Sequence, residues 1–272
     1  MPDYMINGEF SEQVSVQDRG MHYGDGVFET LVANNGELEH WNDHINRLAL
    51  GCNRLGINMP DVSLLKFEVE KLLDQQSAEV SRFVIKIIIT RGIGQRGYKP
   101  PATAVTTRIV SIYPYPDYPE IYFNKGVKVV VCKIPLSCNP VLAGIKHLNR
   151  LEQVMAQSEW DDPQIIDGIM LNNEQQVVEC TMSNIFWASN NQLFTPDLSN
   201  CGVEGVTRAN ILRLAKELQI PTKIGNFSMK DLLAADEIFI SNSVFGIFPV
   251  NKIEDCEKQP GSITRRLMTK LS

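Results

Sequence analysis

Three prolines fall within six residues in the stretch Tyr113-Pro114-Tyr115-Pro116-Asp117-Tyr118-Pro119. Each proline fixes its own φ and lacks an amide donor, so the stretch can enter neither a helix interior nor the middle of a sheet. It reads as a stiff extended connector over 114–119. The chain of 272 residues is thereby divided into a smaller segment, 1–113, and a larger one, 120–272. Both are long enough to bury a core of their own.

Strand and helix patterns alternate on both sides of the connector, which predicts a mixed α+β class. Asn7-Gly8 and Asn34-Asn35-Gly36-Glu37 are hairpin signals. Asn42 or Asp43 is expected to cap a helix ending near Leu55, and Met59-Pro60-Asp61 to start a second one with Leu64, Leu65, Val69, Leu72 and Leu73 as its apolar stripe. Phe83 to Thr90 is almost continuously apolar, as in a strand buried on both faces. Beyond the connector, 126–132, 165–171, 176–180 and 181–187 read as strands, with 236–243 as the last. Leu148, Leu151, Val154 and Met155 predict an amphipathic helix to about Trp160, and further helices are expected at 206–218 and 260–271.

Charge and cysteine content exclude several function classes. The net charge of −6 argues against a general nucleic-acid or anionic-membrane surface. No apolar run approaches the length of a membrane span. The six cysteines include no CxxC pair and only four histidines accompany them, so no metal site is expected. Scattered thiols, and a start (Met1-Pro2-Asp3-Tyr4-Met5) without a basic n-region or apolar core, predict a soluble cytoplasmic protein with reduced cysteines.

Five places carry possible chemistry. Lys146, in Gly144-Ile145-Lys146-His147-Leu148-Asn149-Arg150, is either part of a basic turn or an amine desolvated enough to act as a nucleophile. Arg47 shares a helix face with His44 and suits a phosphate, a carboxylate or a surface ion pair. The loop Arg91-Gly92-Ile93-Gly94-Gln95-Arg96-Gly97-Tyr98 combines glycines with two arginines, apt for carboxylates or simply a surface loop. Glu179 follows two valines at a strand end, where a buried carboxylate needs a partner. Gly202-Val203-Glu204-Gly205 precedes a helix whose first N–H groups suit a phosphate, helped by Ser241-Asn242-Ser243, although many helices begin this way without a ligand. Because the Lys146 stretch lies beyond the connector and the Gly- and Arg-rich loops before it, a shared site is expected between two domains.

Taken together, these residues resemble the fold-type IV pyridoxal-phosphate enzymes, the family of branched-chain and D-amino-acid aminotransferases. The resemblance covers nearly the whole chain, through Asn7-Gly8, Asp18-Arg19-Gly20, Tyr23-Gly24-Asp25-Gly26-Val27-Phe28-Glu29-Thr30, His44 to Leu48, Glu179 to Phe186 and Gly202 to Arg208. Two narrower pieces, Ala143 to Arg150 and Arg91 to Tyr98, are similar to a lyase branch of that family. The resemblance implies a two-domain fold, with a smaller N-terminal α/β domain and a larger C-terminal, cofactor-binding domain built on a β-barrel-like sheet with helices. It implies pyridoxal 5'-phosphate held by Lys146, which then serves as the proton-transfer base, with Thr30 beside its amine. Glu179 would face the pyridine nitrogen. Arg47, the N–H groups of Val206 and Thr207, and Asn242 with Ser243 would bind the phosphate. Arg96 and Tyr98, with the charge of Arg91, would meet a small dicarboxylate substrate, 4-amino-4-deoxychorismate, yielding 4-aminobenzoate for folate biosynthesis. A homodimer is implied as well. An aminotransferase acting on D- or branched-chain amino acids is the alternative on the same scaffold. A binding protein that kept the scaffold without the chemistry is a third reading.

Overall fold

In the computed structural model, which describes residues 3–77 and 79–271, Asn7 and Gly8 both take positive φ (52° and 90°) and turn β1 (Tyr4–Ile6) into β2 (Glu9–Phe10). Met1 and Pro2, whose lack of a leader's charge was noted above, lie outside the described residues. The chain packs as two units, Met1–Pro116 with Ile145–Asn149, and Asp117–Gly144 with Arg150–Ser272. The first division falls inside the proline-rich stretch. The second was not expected: the segment around Lys146 packs with the first unit rather than the second.

The first unit continues with α1 (Arg19–Tyr23), β3 (Gly26–Asn34), β4 (Glu37–Leu38), α2 (Trp41–Leu55), α3 (Val62–Leu73), β5 (Arg82–Thr90) and β6 (Thr107–Pro114). Its strands form an antiparallel sheet in the order β2-β1-β6-β5-β3-β4. Leu31, Ile85, Ile87 and Val110 on one face pack with Leu48, Cys52, Leu65, Val69 and Leu72 of α2 and α3. Burying such a side chain stabilises by about 1.5–3 kcal/mol, so this seam fixes the register of both helices. Asp61 caps α3 through the N–H groups of Ser63 and Leu64. Neither Asn42 nor Asp43 caps α2: the cap is His40, in the left-handed region, and Asp43 lies in the first turn. Leu64, expected in the stripe, is exposed.

The second unit contains α4 (Glu120–Asn124), β7 (Val127–Val131), α5 (Leu151–Gln157), β8 (Ile165–Leu171), β9 (Val177–Cys180), β10 (Asn184–Ser189), β11 (Gln192–Pro196), α6 (Val206–Glu217), β12 (Thr222–Gly225), α7 (Met229–Leu233), β13 (Glu237–Asn242), β14 (Gly246–Ile253), β15 (Cys256–Glu257) and α8 (Ser262–Leu271). Its curled sheet runs β12-β11-β10-β13-β14-β7-β8-β9, with β15 on β14. Both faces are covered, which explains the near-continuous apolar runs. Ile185, Trp187, Ile238 and Ile240 point one way, toward Phe248, which is ringed by Tyr118, Tyr122, Phe123 and Phe245. Phe186 and Phe239 stack on the other face, where Ile211, Ala215, Ile263 and Leu267 of α6 and α8 pack over them.

Three expectations need correction. The strand 236–243 is not the last; β14 follows it and pairs with β13, β7 and β15, although Pro249 in mid-run reads as a strand breaker. The helix after Lys146 begins only at Leu151, because residues 145–149 pair with β3 instead. In that helix Leu151, Val154 and Met155 are exposed while Gln153 and Ala156 are buried, the reverse of the expected face.

The start of α8 is held by a side chain from the sheet. The buried Glu237 carboxylate accepts from Ile263 N (3.1 Å), Thr264 N (2.8 Å) and Thr264 Oγ1 (2.6 Å). Glu237→Ala strands these donors and should lower unfolding free energy by about 3 kcal/mol. Urea titration checks this as a lower midpoint with an unchanged slope.

Candidate active site

Side chains alternate across β3. Val27, Glu29 and Leu31 face α2, so Phe28 and Thr30 point to the opposite face of the sheet. Directly across from Thr30 on β5 lies Lys86, and beyond it on β6 Ser111. Residues 145–149 dock along the start of β3. Phe28 N–H donates to Lys146 O (2.9 Å) and Leu148 N–H to Gly26 O (3.0 Å), with Val27 bridged to His147. Two glycines admit the segment. A Cβ on Gly26 would lie 2.7 Å from Leu148 Cδ1, and one on Gly24, where φ is 61°, would lie 2.8 Å from Asn149 Oδ1. Asn149 Nδ2 in turn donates to Gly24 O. This docking sets the half-buried Lys146 over the Phe28 ring, with Nζ 4.6 Å from its centroid. Lys86 Nζ lies 5.3 Å from the same ring. Two amines near one aromatic ring, with Thr30 in register with Lys86, make a cationic half-site.

Beneath that face, Arg47 clamps Glu29 from Nε to Oε1 (2.8 Å) and from Nη2 to Oε2 (2.5 Å). His44 Nδ1 meets the same carboxylate at 2.6 Å. Burial pushes the Glu29 carboxyl up, but the charge and hydrogen bonds of Arg47, then those of His44, outweigh it and hold it below the ordinary range. Burial lowers His44, so its ring is neutral near pH 7 and donates to Glu29. The clamp fixes the plane of the Arg47 guanidinium.

The Arg91–Tyr98 loop divides its arginines. Arg91 is buried and gives Nε and Nη2 to Asp25, Nη1 to Gly56 O and Nη2 to Leu55 O. Asp25 also receives Arg19, whose other nitrogens reach Gly97 O and Tyr98 O. Arg91, expected at the substrate, thus anchors the loop, because burial forced its donors onto protein acceptors. Arg96 and Tyr98 are exposed, Tyr98 at 86%. Arg96 lines a cleft of about 880 Å³ with His22, Tyr23 and Lys99.

In the second unit, Glu179 is buried and its Oε2 accepts Val203 N–H at 2.8 Å. Burial lowers the guanidinium of Arg150 from its ordinary range, opposed by the charges of Glu179 and Glu152. The carboxylate therefore has both an N–H donor and a cation. Asn184 Nδ2 holds Val203 O, and a Cβ on Gly205 would lie 2.0 Å from Asn184 Oδ1. Gly205 is the N-cap of α6 and supplies no side-chain cap, so the helix opens on the N–H groups of Val206 and Thr207. Thr207 Oγ1 and Ser243 Oγ are 3.2 Å apart beside them. Asn242 is used differently: its Oδ1 accepts from Val244 N and Phe245 N, and its Nδ2 reaches Met182 O. It holds a turn.

With this geometry in place, the chain can be set against known proteins. A family model for amino-transferase class IV matches residues 26–253. The chain belongs to that family. It is 36% identical to the aminodeoxychorismate lyase of Vibrio harveyi, over 99% of both chains. It is 41% identical to the 4-amino-4-deoxychorismate lyase structure from Pseudomonas aeruginosa, with a TM-score of 0.92 over 98% of this chain and 97% of that one. A D-alanine aminotransferase of Staphylococcus aureus is 29% identical over 98% of this chain and 95% of its own. The family is one of enzymes, and this chain is an enzyme of it. Among the described residues no helix is long and apolar enough to cross a membrane, and no cluster of metal-ligating side chains occurs.

Two charged residues close to these candidates escaped the sequence reading, Lys86 and Asp167. Each is a single charge inside an apolar strand run, and that signal could have found both. Asp167 is fully buried and accepts from Thr181 Oγ1, Ser183 Oγ and Gly168 N, which fixes the turn between Glu179 and Asn184. Burial pushes its carboxyl up to about 6, against these hydrogen bonds. The unfolded group titrates near ~3.9. Between those values the native state keeps a proton that the unfolded chain has lost, so this group makes stability fall as pH rises through that window. Asp167→Asn should remove the slope. Urea titrations at pH 4.5 and 6.5 should show the wild type losing about 2 kcal/mol relative to the variant.

Proposed function

We propose that this enzyme is a pyridoxal-phosphate-dependent 4-amino-4-deoxychorismate lyase, releasing pyruvate and 4-aminobenzoate for folate biosynthesis in the cytoplasm. The observation that carries the reading is the end-to-end similarity to two such lyases at 36% and 41% identity, against 29% to 32% for aminotransferase relatives. The donor set suits the cofactor. A half-buried primary amine lies on an aromatic ring, a helix start has no capping side chain and two hydroxyls beside it, and a carboxylate is buried.

When bound, pyridoxal phosphate supplies an electron sink for the electron pair left at the substrate's nitrogen-bearing carbon. Lys146 would hold the cofactor through its Nζ, and the same amine would move the proton at the substrate's nitrogen-bearing carbon. Thr30, on the same sheet face, offers its hydroxyl beside the amine. Glu179 keeps the pyridine nitrogen protonated, which strengthens electron withdrawal. Arg47, oriented by Glu29, joins the N–H groups of Val206 and Thr207 and the Ser243 hydroxyl in binding the phosphate. Arg91 and Asn242 take no binding role in this scheme. Arg96, Tyr98 and the newly found Lys86 bind the two substrate carboxylates. Loss of the enolpyruvyl group makes the ring aromatic, so the protein's task is positioning and proton transfer.

The test is incubation with 4-amino-4-deoxychorismate and no keto-acid acceptor. Equal amounts of 4-aminobenzoate and pyruvate should form, and Lys146→Ala should reduce the rate about a thousandfold or more. Amino transfer from D-alanine or leucine, with no 4-aminobenzoate, would sink the lyase reading in favour of the aminotransferase.

The exposed apolar stripe Leu151, Val154 and Met155, with Val141 nearby in sequence, supports a homodimer. Light scattering should give twice the chain mass of 30.6 kDa, falling to one chain mass in the double variant Leu151→Asp, Val154→Asp.

A further inference from the structure

Two of the six cysteines stand side by side. Cys138 Sγ and Cys201 Sγ are 3.7 Å apart, although 63 positions separate them in sequence. Cys138 is exposed and Cys201 is buried, at 5%. The backbone following Cys138 and that around Cys201 is paired. Asn139 N–H donates to Asn200 O (2.8 Å), Gly144 N–H to Gly202 O (2.9 Å) and Glu204 N–H to Gly144 O (3.1 Å). The two thiols are therefore held together by a ladder, not by chance contact of flexible side chains. Both line a polar cavity of about 150 Å³, walled also by Asn172, Gln176, Asn200 and Asn226. A water molecule occupies about 30 Å³, so a small polar oxidant can reach both sulfurs. Cys256 is the internal contrast: partly exposed, its sulfur has a backbone carbonyl, Glu257 O, at 4.0 Å. Cys52, Cys132 and Cys180 are buried.

We propose that Cys138 and Cys201 form a peroxide-responsive dithiol site that closes to an intramolecular disulfide and reopens with thiol reductants. The Cys138 thiolate attacks one oxygen of hydrogen peroxide, the O–O bond breaks, and hydroxide leaves, giving a sulfenic acid at Cys138. The sulfur of Cys201 displaces hydroxide from that sulfenic acid and gives up its own proton, which leaves with the hydroxide as water. Two thiols and one peroxide become one disulfide and two waters; the sulfurs lose two electrons and the peroxide gains them. The order of attack follows from surroundings. Cys138 is the exposed sulfur and meets peroxide from solvent first, whereas Cys201 is buried, and burial, then the hydrogen bond and charge of Cys138, push the Cys201 thiol up to about 12. The sulfurs must close to about 2.05 Å, and Cys138, on the surface, can move toward its partner.

The position gives the bond a consequence. Cys201 precedes Gly202-Val203, and Val203 N–H is the donor that holds Glu179. Oxidation therefore alters the support of the carboxylate assigned to the cofactor ring. That consequence rests on the function proposed above, whereas formation of the bond does not.

The experiment treats the intact, cofactor-loaded enzyme with a few equivalents of hydrogen peroxide, blocks remaining thiols, and digests without reductant for mass spectrometry. A Cys138–Cys201 linked peptide should appear and should vanish after dithiothreitol, and four of the six thiols should remain alkylatable in the unfolded oxidised protein. Cys201→Ser should trap Cys138 as a sulfenic acid reactive with dimedone. Cys138→Ser should yield no linked peptide while keeping the untreated enzyme's activity. Cys138 running on to sulfinic acid without a linked peptide, or Cys256 oxidising while Cys138 stays reduced, would overturn the proposal. In the product assay, oxidation should lower the wild-type rate at least twofold, reversibly, and leave Cys138→Ser unaffected. A fully linked sample with unchanged rate would overturn the coupling to Glu179, and that result stands apart from any failure of the lyase assay, since the peptide readout needs no activity.

Discussion

The pairing of residues 145–149 with β3 is the constraint on which the rest of the first unit's chemistry depends. Two backbone hydrogen bonds, Phe28 N to Lys146 O and Leu148 N to Gly26 O, settle where the lysine stands. They can form only because Gly24 and Gly26 carry no side chain. A lysine on an ordinary surface turn would sample many rotamers over a hydrated shell. Here its backbone is tied to a sheet strand, and its amine rests on the ring of the adjacent Phe28. Main-chain geometry thus sets the place of the lysine on the sheet.

Buried charge in this protein is answered in two ways. In the first unit carboxylates meet arginines: Glu29 with Arg47, Asp25 with Arg19 and Arg91, and Glu68 with Arg108. Removing one member of such a set leaves an uncompensated charge, the expensive case for a protein interior. In the second unit Asp167 is answered by hydroxyls and N–H groups, and its carboxyl stays pushed up. The first pattern fixes arginine planes that can serve a ligand, as at Arg47, or only the fold, as at Arg91. The second organises a turn without adding a cation near Glu179.

Local signals were legible in the sequence wherever the physics is local. The Asn-Gly turns and the helix start at Met59-Pro60-Asp61 depend on one or a few neighbouring residues, and all occur as read, with Asp61 found to be the cap. The burial of Glu179 followed from its place after two valines. What was not legible depends on partners far along the chain. The pairing of 145–149 with β3 links positions more than a hundred residues apart. The same periodicity that marks an apolar helix face cannot say whether that face meets a core, and in α5 it does not. Arg91 and Arg96 are five residues apart in one motif, yet only the fold shows that one is enclosed by Asp25 and two carbonyls while the other is exposed. Lys86 was hidden because seven apolar or β-branched neighbours in β5 drew the eye to the core.

The discontinuous first unit has a consequence for how the chain comes into being. Translation delivers residues 1–116 before the rest, and these already include the six strands and the core of α2 and α3. The last piece of that unit, Ile145–Asn149, emerges only after about thirty further residues have been added. Domains of this size commonly fold as units, N-terminal first, while synthesis continues. The nascent sheet therefore waits on the ribosome with the start of β3 unoccupied along its Gly24–Phe28 backbone, and the lysine arrives as the closing piece. A chain released early, anywhere before Ile145, would present a folded domain whose unpaired N–H and C=O groups invite the wrong strand.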